Sequence, residues 1–350
     1  MKLTYTKYAL QFKQPAGTSR GVLKTKTSYY LKLTDGDKEG IGECGLLAGL
    51  SADDRNNYEE KLAEMSRTID SSQKSPEHWL QELKEWPSIQ AGLEMALRDM
   101  HSNNKILFPS AFTRGEDQQP INGLIWMGDR DFMRSQIEQK LKQGFKVLKM
   151  KIGALDWDTE YSLLKMIRQQ FSHEVLELRV DANGAFSESE ALKVLDKLAA
   201  LQVHSIEQPI KAGQWEKMAL LCRNTSLPIA LDEELIGIFD AEQKLQMLHA
   251  MEPQYLILKP SFIGGFAQSE WWISEAKKRG IGWWVTSALE SNLGLSALAQ
   301  WNYTLGNPMA SGLGTGALYE RNWQSPLFIS EGKLGYQPEV SWQPPADFSW

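Results

Sequence analysis

The chain has little of what several chemistries require. Its 350 residues include two cysteines, Cys44 and Cys222. Two cannot build a disulfide framework or a cysteine-only zinc site, and a reducing cytoplasm is the simplest setting for them. The five histidines (His78, His101, His173, His204 and His249) show no HExxH or other clustered ligand spacing. A bound metal would therefore take carboxylates. No apolar run approaches the roughly 18 to 20 residues that span a bilayer. The opening MKLTYTKYALQFKQPAG lacks the compact apolar core and small-residue cleavage site of a secretory signal. The charge excess is small, 38 Lys+Arg against 44 Asp+Glu for a net of -6. That balance disfavours nucleic acid or an anionic membrane as a partner. What remains is a globular chain, 42% hydrophobic and 23% charged, long enough for one large domain or two. The expectation is a cytoplasmic enzyme acting on a small molecule, and a homo-oligomer is compatible with it.

Two textures divide the chain. Residues 3–12 and 26–34 alternate polar and apolar, as in SYYLKL, and read as antiparallel strands, with Asp35-Gly36 as a turn after the second. Residues 53–69 and 87–101 read as helices, the second with Ala91, Leu93, Ala96, Leu97 and Met100 on one face. From about residue 120 short apolar runs alternate with amphipathic stretches. The runs cover 121–127, 147–153, 175–184, 203–209, 227–234, 255–261, 281–290 and 309–316. Eight strands alternating with helices over about 200 residues is the rhythm of a β/α barrel. A doubly wound sheet is the rival, weakened because no GxGxxG follows the first strand. After the eighth strand no amphipathic helix follows, so the last unit is incomplete. The expected division is an α+β capping domain at 1–110, completed by a tail at about 325–350, and a barrel at 115–324.

Charge appears where a buried parallel strand should be apolar. Lys149 and Lys151, Asp181, Glu207, Asp232 and Lys259 each end an apolar run. They are separated by 30, 26, 25 and 27 residues (151 to 181, 181 to 207, 207 to 232, 232 to 259), about one strand–helix–strand unit each. Barrel active sites lie at that strand edge. Three carboxylates on adjacent strands can converge on one hard divalent cation, Mg²⁺ or Mn²⁺, with lysines on both sides. Such a site suits removal of a proton α to a carboxylate, the charge being stabilised as an enediolate. Each residue alone has a plainer reading. K-x-K recurs at Lys24-Thr25-Lys26 and Lys140-Leu141-Lys142, which read as solvated. Asp181 in D-A-N-G could be a turn residue, and Asp232-Glu233-Glu234 a solvated helix start. The pattern over five successive strands is what favours a site.

These residues resemble the enolase superfamily and, within it, the muconate-lactonizing-enzyme-like subgroup. That subgroup carries K-x-K on the second barrel strand, metal-binding Asp, Glu and Asp on the third to fifth, and Lys on the sixth. The resemblance spans nearly the whole chain. It implies a (β/α)7β TIM-like barrel under an N-terminal α+β capping domain, with Asp181, Glu207 and Asp232 holding the metal. The mandelate-racemase branch would need a late catalytic His, and none follows His249. TSALESNLGLSALAQW and SGLGTGALY are most similar to the o-succinylbenzoate synthase family of menaquinone biosynthesis. That likeness implies dehydration of 2-succinyl-6-hydroxy-2,4-cyclohexadiene-1-carboxylate. Lys151 would be the base and later the acid, Lys259 the stabilising ammonium, and Lys149 the cation that tunes Lys151. Dipeptide epimerases and N-succinylamino acid racemases are the alternative with the same machinery. Against the first stands the eighth strand, Gly312-Leu313-Gly314-Thr315, which lacks an Asp-x-Asp to hold a substrate ammonium. A non-enzymatic binding barrel is a third reading.

For substrate contacts the expectation names Asn183, Ser261, Ser287, Ala288 and Leu289, with Glu290 and the Gly312–Gly314 turn as weaker candidates. Capping-domain loops at 18–22 and 46–51 are candidate lids that exclude water. The pairs Trp271-Trp272 and Trp283-Trp284 read as core or subunit contact.

Overall fold

A computed structural model of the chain describes residues 1–18, 21–71 and 74–350. Three antiparallel strands come first: β1 (Lys2–Thr18), β2 (Gly21–Asp35) and β3 (Lys38–Cys44), in the order β1-β2-β3. The alternation in β2 sends Tyr29, Leu31 and Leu33 into one cluster and Tyr30 into another. Against the first face pack α1 (Tyr58–Ser71), α2 (Pro76–Glu82) and α3 (Pro87–Asp99). The helix expected from residue 53 begins at Tyr58, after a run of turns. The unforeseen α2 had a signal, Ser75 as N-cap before Pro76. Helix α3 comes very close to β3, because Gly42 meets Gly92. A Cβ on Gly42 would sit 1.9 Å from the Gly92 carbonyl oxygen.

The second unit opens with β4 (Gln119–Pro120) and β5 (Gly123–Ile125). Then come α4 (Arg130–Lys142), β6 (Val147–Lys151), α5 (Trp157–Gln170), β7 (Glu177–Asp181), α6 (Glu188–Ala200), β8 (Ser205–Glu207), α7 (Trp215–Asn224) and β9 (Ile229–Leu231). A 3-10 turn at Glu233–Leu235 leads to α8 (Ala241–Met251), β10 (Tyr255–Leu258), α9 (Pro260–Ile263), α10 (Gly265–Lys278), β11 (Gly282–Val285) and α11 (Asn292–Thr304). Strands β5 to β11 form one parallel sheet in sequential order. The expected eighth strand is reduced to two parallel bridges, Ile121 with Ser311 and Thr286 with Gly312. These join the two edges of the sheet and close the ring. The fold is a TIM-like (β/α)7β barrel with an N-terminal capping domain.

Alternation along the barrel strands separates two kinds of residue. Leu148, Met150, Leu178, Val180 and Ile206 enter the apolar core with the helices. The positions between them (Lys149, Lys151, Arg179, Asp181, Ser205 and Glu207) face the barrel interior. Arg179 plugs the lower interior: its guanidinium lies 4.1 Å from the Trp284 ring and donates at 2.8 Å to the Ala310 carbonyl. Trp284 is thus interior packing, as is Trp272 on α10, and both are almost fully buried.

The tail divides. Strands β12 (Leu327–Ser330) and β13 (Lys333–Tyr336) pair with each other, and β13 pairs with β4, just before the first barrel strand, rather than with the capping sheet. The last residues reach that sheet: Tyr8 Oη donates at 2.9 Å to Asp347, and Phe348 packs edge-on to Tyr8 and Tyr30. The capping sheet also meets the barrel at the irregularity between Gln11 and Ala16, where Phe12 bridges to Tyr319.

One core lysine makes a stability prediction. Lys244 on α8 is 3% exposed, lies over Trp271 and Trp272, and donates at 2.8 Å to Gln268. No carboxylate pairs with it among the described residues, and burial pulls its pKa down from 10.5 to about 8. A depressed base favours the neutral form in the folded state. Its stabilising contribution is therefore complete above the unfolded pKa and is lost as pH falls through about 8. At pH 7 the folded protein carries a desolvated charge. Lys244→Met is expected to raise stability at pH 7 by about 1–2 kcal/mol, after loss of the cation–π contacts. It should also remove the rise in stability between pH 8 and 10.5. Urea unfolding at both ends of that range checks it, and a variant less stable at pH 7 would refute it.

Candidate active site

The ends of β6 to β10 bring the six charged residues together. Lys151 sits beside Asp181 in register, and Asp181 beside Glu207. Lys149 Nζ lies 3.0 Å from Asp181 Oδ2 and 2.5 Å from Glu207 Oε2. Lys151 Nζ donates at 3.0 Å to Asp181 Oδ2 and at 2.6 Å to Asn183 Oδ1. Lys259 pairs closely with Asp232 and stands 3.9 Å from Glu207 Oε1. Lys151 and Lys259 approach the carboxylates from the two ends of this arc, with Lys149 buried beneath.

Local sequence sets these positions. The D-A-N-G segment turns after Asp181, with Asn183 at φ +45° and its N–H donating at 3.1 Å to Asp181 Oδ1. Asn183 Nδ2 in turn donates at 2.9 Å to Glu233. Glu233 and Glu234 are buried, not a solvated helix start. Glu234 accepts from Gly213 N–H and from Gln208 Nε2, and so braces the loop after β8. Nothing in the run DEE separates these roles, because burial of the last two depends on the loop before α7.

The electrostatics are those of a crowded, dry site. Burial would raise Asp181, but the ammoniums of Lys149 and Lys151 hold it far below the usual carboxylate range. Burial would lower Lys149 and Lys259, but the carboxylates around each outweigh it and raise both. Glu207 goes the other way: burial, then Asp181 and Asp232, push it up to about 8. Its Oε1 is buried without a hydrogen-bond partner. Among the described residues no three such side chains already stand as a metal-ligand set, since lysines bond these carboxylates. The donor set nevertheless fits a hard divalent cation. Three buried carboxylates adjoin, one carries an unbonded oxygen, and their mutual repulsion is what such a cation would relieve.

Above this floor a cavity opens under the capping domain. Lys149, Lys151, Asp181, Asn183 and Lys259 line its polar side, and Leu23, Leu50, Trp126, Phe262 and Leu289 its apolar side. The predicted Ser287, Ala288 and Leu289 line it, as do Gly312 and Gly314. Ser261 does not. It is 3% exposed and its hydroxyl donates at 2.6 Å to Glu290 Oε1, so it supports the wall from behind. Glu290 is likewise buried and also accepts from Ser287, at 2.7 Å. Of the lid segments, Leu47, Ala48 and Leu50 reach the cavity. Ser19 and Arg20 of the other segment lie outside the described residues. Sequence reasoning missed Leu124, Trp126, Phe262 and Thr286. All but Phe262 lie on or just beyond a barrel strand, where an apolar or neutral side chain resembles core.

A protein-family model described as Enolase C-terminal domain-like matches residues 132–334. The chain belongs to the enolase superfamily. The o-succinylbenzoate synthase of Desulfotalea psychrophila is 46% identical, the match covering 96% of this chain and 99% of that one. The crystal structure of MenC from the same organism superposes with a TM-score of 0.85 at 42% identity, over 96% of this chain and 99% of that one. The Bacillus subtilis L-Ala-D/L-Glu epimerase shares the fold, with a TM-score of 0.83 at 21% identity over 99% of this chain and all of that one. Within the superfamily the activity is that of an o-succinylbenzoate synthase, a hydro-lyase of menaquinone biosynthesis. It dehydrates 2-succinyl-6-hydroxy-2,4-cyclohexadiene-1-carboxylate to 2-succinylbenzoate, and synthases of this superfamily are metal-dependent. No helix among the described residues is long and apolar enough to cross a membrane.

Proposed function

We propose that Lys151 is the base of this dehydration, that Lys259 is its electrostatic partner, and that Asp181, Glu207 and Asp232 hold Mg²⁺, with Mn²⁺ as a substitute. The observation carrying this reading is the arc of three adjoining buried carboxylates with an ammonium at each end. A divalent ion there supplies charge stabilisation to the substrate carboxylate as its α-proton leaves. Lysine bases with metal-stabilised enediolates are a pattern known from enolase-superfamily sites.

Lys151 takes the proton at Nζ, oriented by its bond to Asn183 Oδ1. Lys149, two residues back on the same strand, lies buried beneath it against Asp181 and Glu207. Lys259 keeps its proton and faces the developing anion from the other side. Lys151 then returns the proton to the hydroxyl leaving from its own face, a syn elimination, and the ring becomes aromatic. Leu23, Leu50, Trp126 and Leu289 shed water from the rest of the substrate. Ser287, Ala288 and Thr286 line the part of the cavity suited to the succinyl group. No carboxylate stands at Gly312 to Thr315, which disfavours an ammonium-bearing dipeptide. A cytoplasmic setting accords with two buried, free cysteines.

The test is turnover of the cyclohexadiene substrate before and after exhaustive chelation. A loss of at least about 100-fold is expected, restored by Mg²⁺ or Mn²⁺. Undiminished turnover in protein shown to be metal-free by elemental analysis would overturn the metal assignment. Deuterium uptake without loss of water would instead identify an epimerase.

A further inference from the structure

The capping sheet reaches into the wall of the cavity through a residue that the sequence presents as ordinary. Lys26 belongs to the Lys24-Thr25-Lys26 run that reads as solvated, yet it is 3% exposed. It lies on β2, three residues beyond Leu23, which lines the cavity. Its Nζ donates at 2.9 Å to the carbonyl oxygen of Leu289. The same oxygen accepts from Tyr319 Oη at 2.6 Å, and Leu289 N–H donates to Ser287 Oγ at 2.9 Å.

Leu289 needs this holding. It stands at φ +62°, a left-handed conformation that a branched side chain keeps only when its surroundings over-determine it. In that conformation its side chain packs in a satellite cluster with Leu23 and Trp126, and all three form the apolar wall of the cavity. The ammonium is costly to bury, and Tyr319 already satisfies one lone pair of the carbonyl, so a neutral residue would serve packing better. Burial pulls the pKa of Lys26 down, and two carboxylates, Glu43 from the capping sheet and Glu290 behind the cavity wall, offset part of that.

We propose that Lys26 is a positioning residue for the reaction: from the capping domain it holds Leu289 in place and so sets the apolar wall against which the substrate packs. The inference rests on the cavity being the site of dehydration, with Lys151 as base. It predicts an effect on substrate binding rather than on proton transfer, since Lys26 touches no group on the polar side.

Steady-state kcat and KM for the cyclohexadiene substrate should be measured for Lys26→Met, Tyr319→Phe, Leu289→Ala and the combination of the first with the third. Lys26→Met is expected to raise KM about tenfold with kcat within about threefold of wild type. Tyr319→Phe, which removes only a hydroxyl, should move KM in the same direction by about threefold. Because Lys26 acts through Leu289, adding Lys26→Met to Leu289→Ala should change KM little further. Unchanged KM in both single variants would overturn the proposal. So would a double variant whose losses simply multiply. Should Lys26→Met fail to fold by circular dichroism, Tyr319→Phe and its own cycle with Leu289→Ala decide alone. Retained turnover in Lys151→Ala would sink the reading of the site without touching the KM coupling between Lys26 and Leu289.

Discussion

Lys151→Ala is expected to lower kcat by about 10³-fold or more while leaving the fold intact. The side chain ends β6 at the mouth of the cavity, with its Nζ on Asp181 and Asn183. Truncation leaves no other group there to take the α-proton. It does not leave Asp181 unpaired, because Lys149 remains 3.0 Å away, so thermal stability should change by only a few degrees. Lys151→Arg sharpens the test. Arginine keeps the charge and can reach the same oxygens, but it does not lose its proton in this pH range. It should therefore be as inactive as alanine. If either variant retains turnover within tenfold of wild type, Lys151 is not the base. If Arg alone is active, the side chain serves as a charge rather than as an acid–base group.

Glu43→Ala should be the most destabilising single change predicted for this protein. Glu43, next to last in β3, is fully buried and accepts four hydrogen bonds. One comes from Ser28 Oγ at 2.8 Å, on the neighbouring strand. Three come from the start of α11: Ser291 N–H at 2.9 Å, Ser291 Oγ at 2.5 Å and Gly294 N–H at 3.0 Å. The carboxylate thus caps a barrel helix from another domain, where the helix dipole favours negative charge. Gly294 lets it come close, since a Cβ there would stand 2.8 Å from Glu43 Oε2. Removing it leaves buried donors unsatisfied and Lys26 with one carboxylate fewer. A cost of about 3–5 kcal/mol follows, or a fall in Tm of roughly 5–10 °C. Glu43→Gln keeps the shape and should lose less. A Glu43→Ala melting curve within 2 °C of wild type would show that the domains do not depend on this cap.

Much of the site was legible because its residues break a local rule. Lys149, Lys151, Asp181, Glu207, Asp232 and Lys259 are charges at the ends of runs that must be buried, and their spacing repeats the length of a β/α unit. A charge in such a place needs a reason other than solvation, whatever the details of packing. The amphipathic stretches between the apolar runs were legible as helices, and in the structure a Ser187–Glu190 capping box starts α6. The truncated last unit was legible from the missing helical pattern after residue 316.

Other features were not written locally. Lys26 looks like Lys24, and only the docking of β2 against the loop after β11 buries the one and leaves the other exposed. Ser261 looks like a substrate donor until Glu290, 29 residues on, takes its hydroxyl. Leu289 at φ +62° and Glu43 at the N-terminus of α11 are settled by contacts spanning up to 263 residues. By itself the sequence determined which residues could carry the chemistry and the β/α order that lines them up, because strand period and charge placement are local. Only the tertiary structure decided what surrounds that chemistry. A hydrogen bond across a domain interface depends on where two distant backbones come to rest, and no periodicity along one of them records that.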